Sequence, residues 1–328
     1  MARATHRFLP VGMYGALLIA LALLAYVVGV ILAAILRLVG ADQDPSRWLV
    51  WSSGIPLLAG VALVVIDVAV LAPRRRAGRT IFDVPVDVSQ VTIVLTAYND
   101  EASIGEAVAD FRAHPRAARV IVVDNNSSDD TASVAAQAGA IVHVEEQPGY
   151  GRCVYRCLQE GAAWDDTEVV VLCEGDMTFR AADLDKFAAY MRHAHVVNGT
   201  RIVEQLREPA TQLTSFMYYG NFIAGKLLEI KHLGKGTTSD VGTTYKACRT
   251  SFLRDQLGMF DPSVNLEFNA HFMDRLLASE FRLVEVPVTF HPRVGVSKGG
   301  NTSNWRALKV GARMLLGIVL GWRLLGKA

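Results

Sequence analysis

Glu174 and Asp176 stand one residue apart at the end of the run Glu-Val-Val-Val-Leu-Cys-Glu-Gly-Asp, residues 168–176. In extended backbone, residues i and i+2 project to the same side, so the two carboxylates face one way. Carboxylates this close repel each other unless a cation stands between them. An all-oxygen donor set suits Mg²⁺ or Mn²⁺, and a cation held there could bridge the phosphates of a nucleotide. Acid-Gly-acid also occurs as a plain solvated turn, so the elements that carry the pair decide between the two readings.

The apolar, β-branched residues before Glu174 read as a buried parallel strand. Val91–Thr96 repeats that pattern and runs into Ala97-Tyr98-Asn99-Asp100-Glu101. Val120–Asp124 repeats it again, ahead of Asn-Asn-Ser-Ser-Asp-Asp-Thr at 125–131. Between these runs Ile104, Val108 and Phe111 are spaced as on a helix. After Thr131 an alanine-rich helix leads to a further short strand at 140–144. This rhythm predicts an α/β fold: a Rossmann-like, mostly parallel sheet with helices on both faces. Each strand ends in polar residues, where open α/β sheets bind ligands.

From about Val91 to Lys298 the chain resembles glycosyltransferase family 2, which has the GT-A fold, and within it the dolichyl/polyprenyl-phosphate branch that includes dolichyl-phosphate mannose synthase. The opening strand and turn at 91–100, the Val-Asp-Asn-Asn-Ser-Ser-Asp stretch at 123–129 and Glu174-Gly175-Asp176 fall where that family has its nucleotide-binding motifs and its Asp-x-Asp. The resemblance implies that Ala97, Tyr98 and Asp100 border the base and ribose, with Asp124 and Asn125 facing the base. It implies that Gly149 lies in a turn beside the nucleotide, and that Glu174 and Asp176, flanking Gly175, hold Mg²⁺ or Mn²⁺. Gly199-Thr200-Arg201, Asp240-Val241-Gly242 with Arg249, and Pro-Arg-Val-Gly-Val-Ser-Lys at 292–298 match later motifs of the lipid-phosphate branch. By the same resemblance Arg201, Arg249, Arg293, Ser297 and Lys298 would bind the diphosphate and the acceptor phosphate. Asp176, Arg201, Arg293 and Lys298 would be the catalytic set.

The chain departs from that pattern in three places. Glu174 replaces an Asp and makes the first ligand one methylene longer. Thr96-Ala97 replaces a Pro-Thr pair, and Asn125-Asn126 replaces Asp-Gly, removing one acid near the base. These changes bear on which nucleotide is bound. Arg249 is equally a surface charge by its sequence context. Glu267 would serve as a base only for a hydroxyl acceptor, and His271 is a structural or an acceptor-site residue. His193 and His195 read as exposed loop histidines.

The implied reaction moves a hexose from GDP-mannose or a UDP-sugar to a polyprenyl or dolichyl phosphate. A phosphate acceptor is already ionised near neutral pH and needs no strong base. A single displacement would invert the anomeric carbon. The alternatives are a family 2 transferase acting on a glycolipid or polysaccharide hydroxyl, and a non-catalytic nucleotide-binding membrane scaffold. The processive synthases' Gln-x-x-Arg-Trp motif is absent, since Asn304-Trp305-Arg306 has another order.

Composition fits attachment to a membrane. Of 328 residues 51% are hydrophobic, and the formal net charge is +1, which gives no reason to expect nucleic-acid binding. Val11 to Leu36 holds no charged residue, and Leu49 to Ala72 only Asp67. About 20 apolar residues span a bilayer, so both runs read as transmembrane helices. Asp67 would face a partner helix or reach toward the interface. Arg74, Arg75, Arg76 and Arg79 follow the second span, and the positive-inside rule puts both termini and the catalytic domain in the cytosol of a multi-pass membrane protein. The paired helices leave a homo-oligomer open. The predicted organisation is a membrane segment over 1–80, a GT-A domain over 81–300 and an amphipathic interfacial helix over 301–328, the last equally readable as a helix packed on the domain. Four scattered cysteines form neither a disulfide framework nor a zinc motif.

Overall fold

A computed structural model describes residues 10–40, 45–77, 79–295 and 304–324. Ser297 and Lys298 therefore lie outside the described residues. The chain divides into two units, Met1–Arg79 with Glu229–Lys235, and Thr80–Leu228 with Gly236–Ala328.

In the first unit, Val11–Leu38 is one helix of 28 residues and Ser46–Arg76 a second helical stretch of 31. At 1.5 Å per residue each exceeds the roughly 30 Å hydrocarbon thickness of a bilayer, so both are long and apolar enough to cross one. The two helices pack closely at Gly15 and Gly60: a Cβ on either would lie 2.7 Å from the other's carbonyl oxygen. Asp67 opens a π-helical turn, Asp67–Leu71, and is fully buried. Its carboxylate accepts from the Gly12 N–H at the start of the first helix and pairs with Arg75. An acid that would be costly in lipid is thus partnered within the helix pair.

The second unit is built on a seven-stranded sheet. Its strands are β1 (Val91–Ala97), β2 (Ala117–Asp124), β3 (Ile141–Val144), β4 (Val169–Glu174), β5 (Val196–Thr200), β6 (Lys246–Arg249) and β7 (Leu283–Pro287). Their spatial order is β3-β2-β1-β4-β6-β5-β7. All neighbours are parallel except β6, which runs antiparallel to both β4 and β5. Helices cover both faces, because β1, β2 and β4 are apolar on both sides. Val91, Ile93 and Leu95 pack with Ile104, Val108 and Phe111 of helix Ile104–Ala113. Val94 and Val170 point the other way, against helix Tyr150–Ala162 at Gly161. Tyr245, fully buried, anchors an aromatic cluster with Phe111, Phe179 and Phe187.

The carboxyl-terminal helix Asn304–Leu320 belongs to this second unit. Arg313 pairs with Glu267 (2.8 Å), and Trp322 Nε1 donates to Asp274 (2.6 Å). Trp305, Leu308, Leu316 and Leu320 remain exposed. The helix thus packs one side on the domain and leaves an apolar stripe uncovered.

Candidate active site

Strand order reverses between β1 and β4: β2 and β3 follow on one side of β1, and β4 lies on the other. Ligands bind open α/β sheets at such a switch point, outside the carboxyl ends of the strands. Register sets Thr96 beside Glu174 and Ala97 beside Asp124, so the polar strand ends line up.

Local hydrogen bonds fix each loop. Asn99 and Asn126 adopt left-handed backbone (φ 51° and 58°), a conformation Asn tolerates better than most residues. Asn99 N–H donates to Ser127 Oγ and Asn99 Oδ1 accepts from Ser128 N–H, which ties the β1 and β2 ends together. Asp124 accepts from Ser127 N–H and Oγ–H. Asn125 spreads its amide over the carbonyls of Glu145 and Gln147 and the N–H of Gly149 (3.0 Å). Its role in the structure is to hold the 145–149 turn. Gly149 needs its φ of 138°, which side-chain-bearing residues rarely adopt. Tyr98, the first residue after β1, is 48% exposed.

Gly175 donates to the Thr96 carbonyl (2.9 Å), and a Cβ at Gly175 would collide with Ile104. That close approach carries Asp176 past the strand end. Asp176 Oδ1 accepts from Thr178 N–H (3.0 Å) and Oγ1–H (2.6 Å), and Oδ2 meets Arg293 Nη1 (3.0 Å). Arg293 Nη2 reaches Asp100 Oδ1 at 2.7 Å. One guanidinium thus spans the acid after β1 and the acid after β4. Its loop is held by Val294 N–H on the Asp176 carbonyl and His291 N–H on the Thr178 carbonyl. Arg201 forms a two-pronged pair with Asp240 (2.7 and 2.8 Å). Asp240 is in turn set by its neighbours on Glu285, which accepts from Ser239 N–H and Oγ–H. Burial opposes ionisation of Asp240, yet Arg201 holds it below its ordinary range. Burial pushes Glu285 up to about 7, with Ser239 acting the other way.

Glu174 Oε1 accepts from Thr244 Oγ1 at 2.6 Å. Burial raises Glu174 to about 7 and the Asp176 charge adds to this, while Thr244, Arg293 and Arg201 oppose it. A carboxylate that is short of countercharge, beside a second one, fits a hard divalent cation. Mg²⁺ is commonly bound through one or two protein carboxylates, with substrate phosphates and water completing its shell. Among the described residues no group of three or more His, Cys, Asp or Glu side chains gathers as a closed metal cage, so the fit is to such an open, two-carboxylate site.

The structure therefore gathers Asp100, Glu174, Asp176, Arg201 and Arg293 at one end of the sheet, with Asp124, Asn125 and Gly149 on the flanking turns. It does not bring Arg249 there. Because β6 is antiparallel to β4, Arg249 pairs with Val169, the first residue of β4, about 17 Å of strand away from Glu174. Its guanidinium donates to the carbonyls of Ala194, Val84 and Met191 and lies over Phe82, fastening the 82–85 segment to the domain. His195 is not an exposed loop residue either: it packs against Phe82, Phe252 and Phe281 and accepts from Arg282 N–H. His271 is buried, accepts from Asp261 N–H and abuts Trp322. Sequence reasoning missed Thr244, Lys246 and Asn269 as parts of the site. The available signal was Lys246 opening a four-residue strand, Lys-Ala-Cys-Arg, in which every residue is buried.

A mixed sheet with a polar, anion-and-cation-lined switch point is a GT-A-type frame. The crystal structure of a mycobacterial protein superposes on this fold with a TM-score of 0.51, at 17% identity, covering 76% of each chain. Residues 92–257, half of the chain, match the family model for glycosyl transferase family 2. An uncharacterized glycosyltransferase of Mycobacterium tuberculosis is 32% identical over 207 residues, 62% of this chain and 87% of that one. A dolichyl-phosphate hexose transferase of Haloferax volcanii is 29% identical over 210 residues, 63% of this chain and 86% of that one. The chain belongs to glycosyltransferase family 2 and is a glycosyltransferase.

Proposed function

We propose that this protein is a membrane-bound, inverting hexosyltransferase that moves a sugar from a nucleoside diphosphate donor to a polyprenyl or dolichyl phosphate, as in the branch of dolichyl-phosphate mannose synthase. The observation that carries the reading is the convergence of two carboxylates, Glu174 and Asp176, with two guanidiniums, Arg201 and Arg293, at one strand end. The similarity to a dolichyl-phosphate hexose transferase and the two bilayer-length apolar helices support a lipid acceptor.

In this reading Tyr98, Asp100, Asp124 and the Gly149 turn receive the nucleoside. A divalent cation on Glu174 and Asp176 would neutralise charge on the leaving diphosphate. Arg201 and Arg293 carry fork-shaped guanidiniums suited to phosphate oxygens. Arg293 already bridges two acids, so it is placed to exchange a carboxylate for a phosphate without changing its position. The acceptor phosphate arrives ionised and attacks from the face opposite the diphosphate. The residues offset anion repulsion and align the reactants, so acceleration comes from orientation and preorganised charge. Ser297 and Lys298, outside the described residues, would add phosphate-binding groups in this proposal.

A transfer assay tests it: detergent-purified protein, a panel of labelled GDP- and UDP-sugars, short polyprenyl phosphates, and Mg²⁺ or Mn²⁺ against chelator. Metal-dependent label in the lipid phosphate with inverted anomeric configuration is expected. A retained anomer or a trapped glycosyl-enzyme would overturn the single displacement.

A further inference from the structure

Behind Glu174 lies a line of polar side chains that the reaction does not use. Lys246 is 1% exposed. Its Nζ donates to Asn269 Oδ1 (3.1 Å) and to the Thr243 carbonyl, and among the described residues it has no carboxylate partner. Asn269 Nδ2 donates to Tyr150 Oη at 2.8 Å and approaches Thr244 Oγ1 at 3.2 Å. Tyr150 Oη bonds Thr244 Oγ1, and Thr244 Oγ1 bonds Glu174.

The direction of every bond in this line follows from donor chemistry. Lys246 Nζ donates to two carbonyl oxygens, so Asn269 turns its carbonyl oxygen to Nζ and its NH₂ outward. Thr244 has one proton. That proton goes to Glu174 Oε1, so Thr244 must receive from Tyr150. Lys246, Asn269, Tyr150 and Thr244 therefore all donate toward Glu174. Burying a lysine without an ion-pair partner is costly, and packing alone does not call for it. The four residues come from three separate elements: helix Tyr150–Ala162, β6 with the residues just before it, and helix Phe268–Ala278.

The geometry points to Lys246, Asn269, Tyr150 and Thr244 as positioning residues that hold the Glu174 carboxylate in one rotamer as an acceptor facing the cation and diphosphate. The longer side chain of Glu174, with its extra torsion, has more freedom than an aspartate, and the Thr244 bond removes that freedom. This inference rests on the donor-site reading above.

The test is Mn²⁺ binding in the presence of GDP or UDP, followed by electron paramagnetic resonance on the full-length protein in detergent, which requires no turnover. Tyr150→Phe keeps the ring and removes the hydroxyl; it should weaken Mn²⁺ about tenfold, the scale of one hydrogen bond toward a charged group. Thr244→Val should do the same, and Thr244→Ser should restore wild-type affinity. In a Glu174→Gln background Tyr150→Phe should cause no further loss. Wild-type affinity in Tyr150→Phe would overturn the inference, as would a full tenfold loss that persists without Glu174. Failure of the wild-type protein to bind Mn²⁺ with either nucleotide would instead overturn the donor-site reading on which it stands. A melting curve for each variant separates a folding defect from a binding defect.

Discussion

Asp176 meets three demands at once: it closes a turn through Thr178, it fixes Arg293, and it presents its carboxylate at the switch point of the sheet. Asp176→Asn keeps the turn's acceptor oxygen and removes the charge. The expected result is a loss of about 10²- to 10³-fold or more in transfer rate, the scale of removing one preorganised electrostatic contact, with little change in melting temperature. Arg249 should behave in the opposite way. Arg249→Met leaves several buried carbonyls without a donor and should cost about 2–4 kcal/mol of stability, while the folded fraction transfers sugar at the wild-type rate. Activity normalised to folded protein distinguishes the two. Much of the candidate site was legible at this scale, because an acid at the end of a β-branched run depends only on local sequence. Arg249 was not, since its place depends on the direction in which β6 enters the sheet, and nothing in its own four residues encodes that. Lys246 and Asn269 were missed for a related reason: their partners come from strands and helices far apart in the chain.

Between residues and the molecule stand the elements that brace the sheet, and two histidines report on them. Burial lowers His195 to about 4, with Arg249 and Arg282 adding to the effect. Burial likewise lowers His271 to about 4, opposed by Asp274. Both are neutral acceptors of backbone N–H groups in the fold and would protonate near 6.5 when unfolded. Between those values the unfolded chain binds more protons, so stability falls as pH drops from about 6.5 toward 4 and is fully present above 6.5. Melting temperature measured across that range should decline. The decline should flatten in His271→Gln and His195→Asn, which keep an acceptor near Nε2 and Nδ1 respectively. An unchanged slope in both would show that other groups set the pH response. The alternation of apolar strands and helices was readable from pattern. The strap that His195 and Arg249 make with residues 82–85 was not, because Phe82 follows the basic stretch without any periodicity to mark it as packed.

At the scale of the whole molecule, two bilayer-length helices precede an α/β unit whose helix Asn304–Leu320 leaves an apolar stripe exposed. The arginines after the second span place that unit on the cytosolic side in our proposal, where nucleotide sugars are made. The four native cysteines are all buried, so a single introduced thiol gives a clean signal. Asp165→Cys, at a side chain that is 91% exposed, should react with a membrane-impermeant maleimide in inside-out vesicles and stay unreacted in intact cells. Labelling from outside would reverse the topology and remove access to cytosolic donors. The two long apolar helices were plain in the sequence because length and apolarity suffice to mark them. The meeting of Asp67 with Arg75 and the Gly12 N–H was not, since Gly12 and Asp67 are 55 residues apart in the chain and meet only when the two helices pack.

In the proposed reaction the nucleophile is a lipid phosphate. The most direct measurement offers the purified protein one polyprenol in two forms, as the phosphate and as the free alcohol, with the same labelled donor and Mn²⁺. All label is expected in the phosphate, as an acid-labile glycosyl phosphodiester, and none in the alcohol. Label in the alcohol, with the phosphate inert, would contradict the proposed reaction and make this chain a hydroxyl-directed member of family 2.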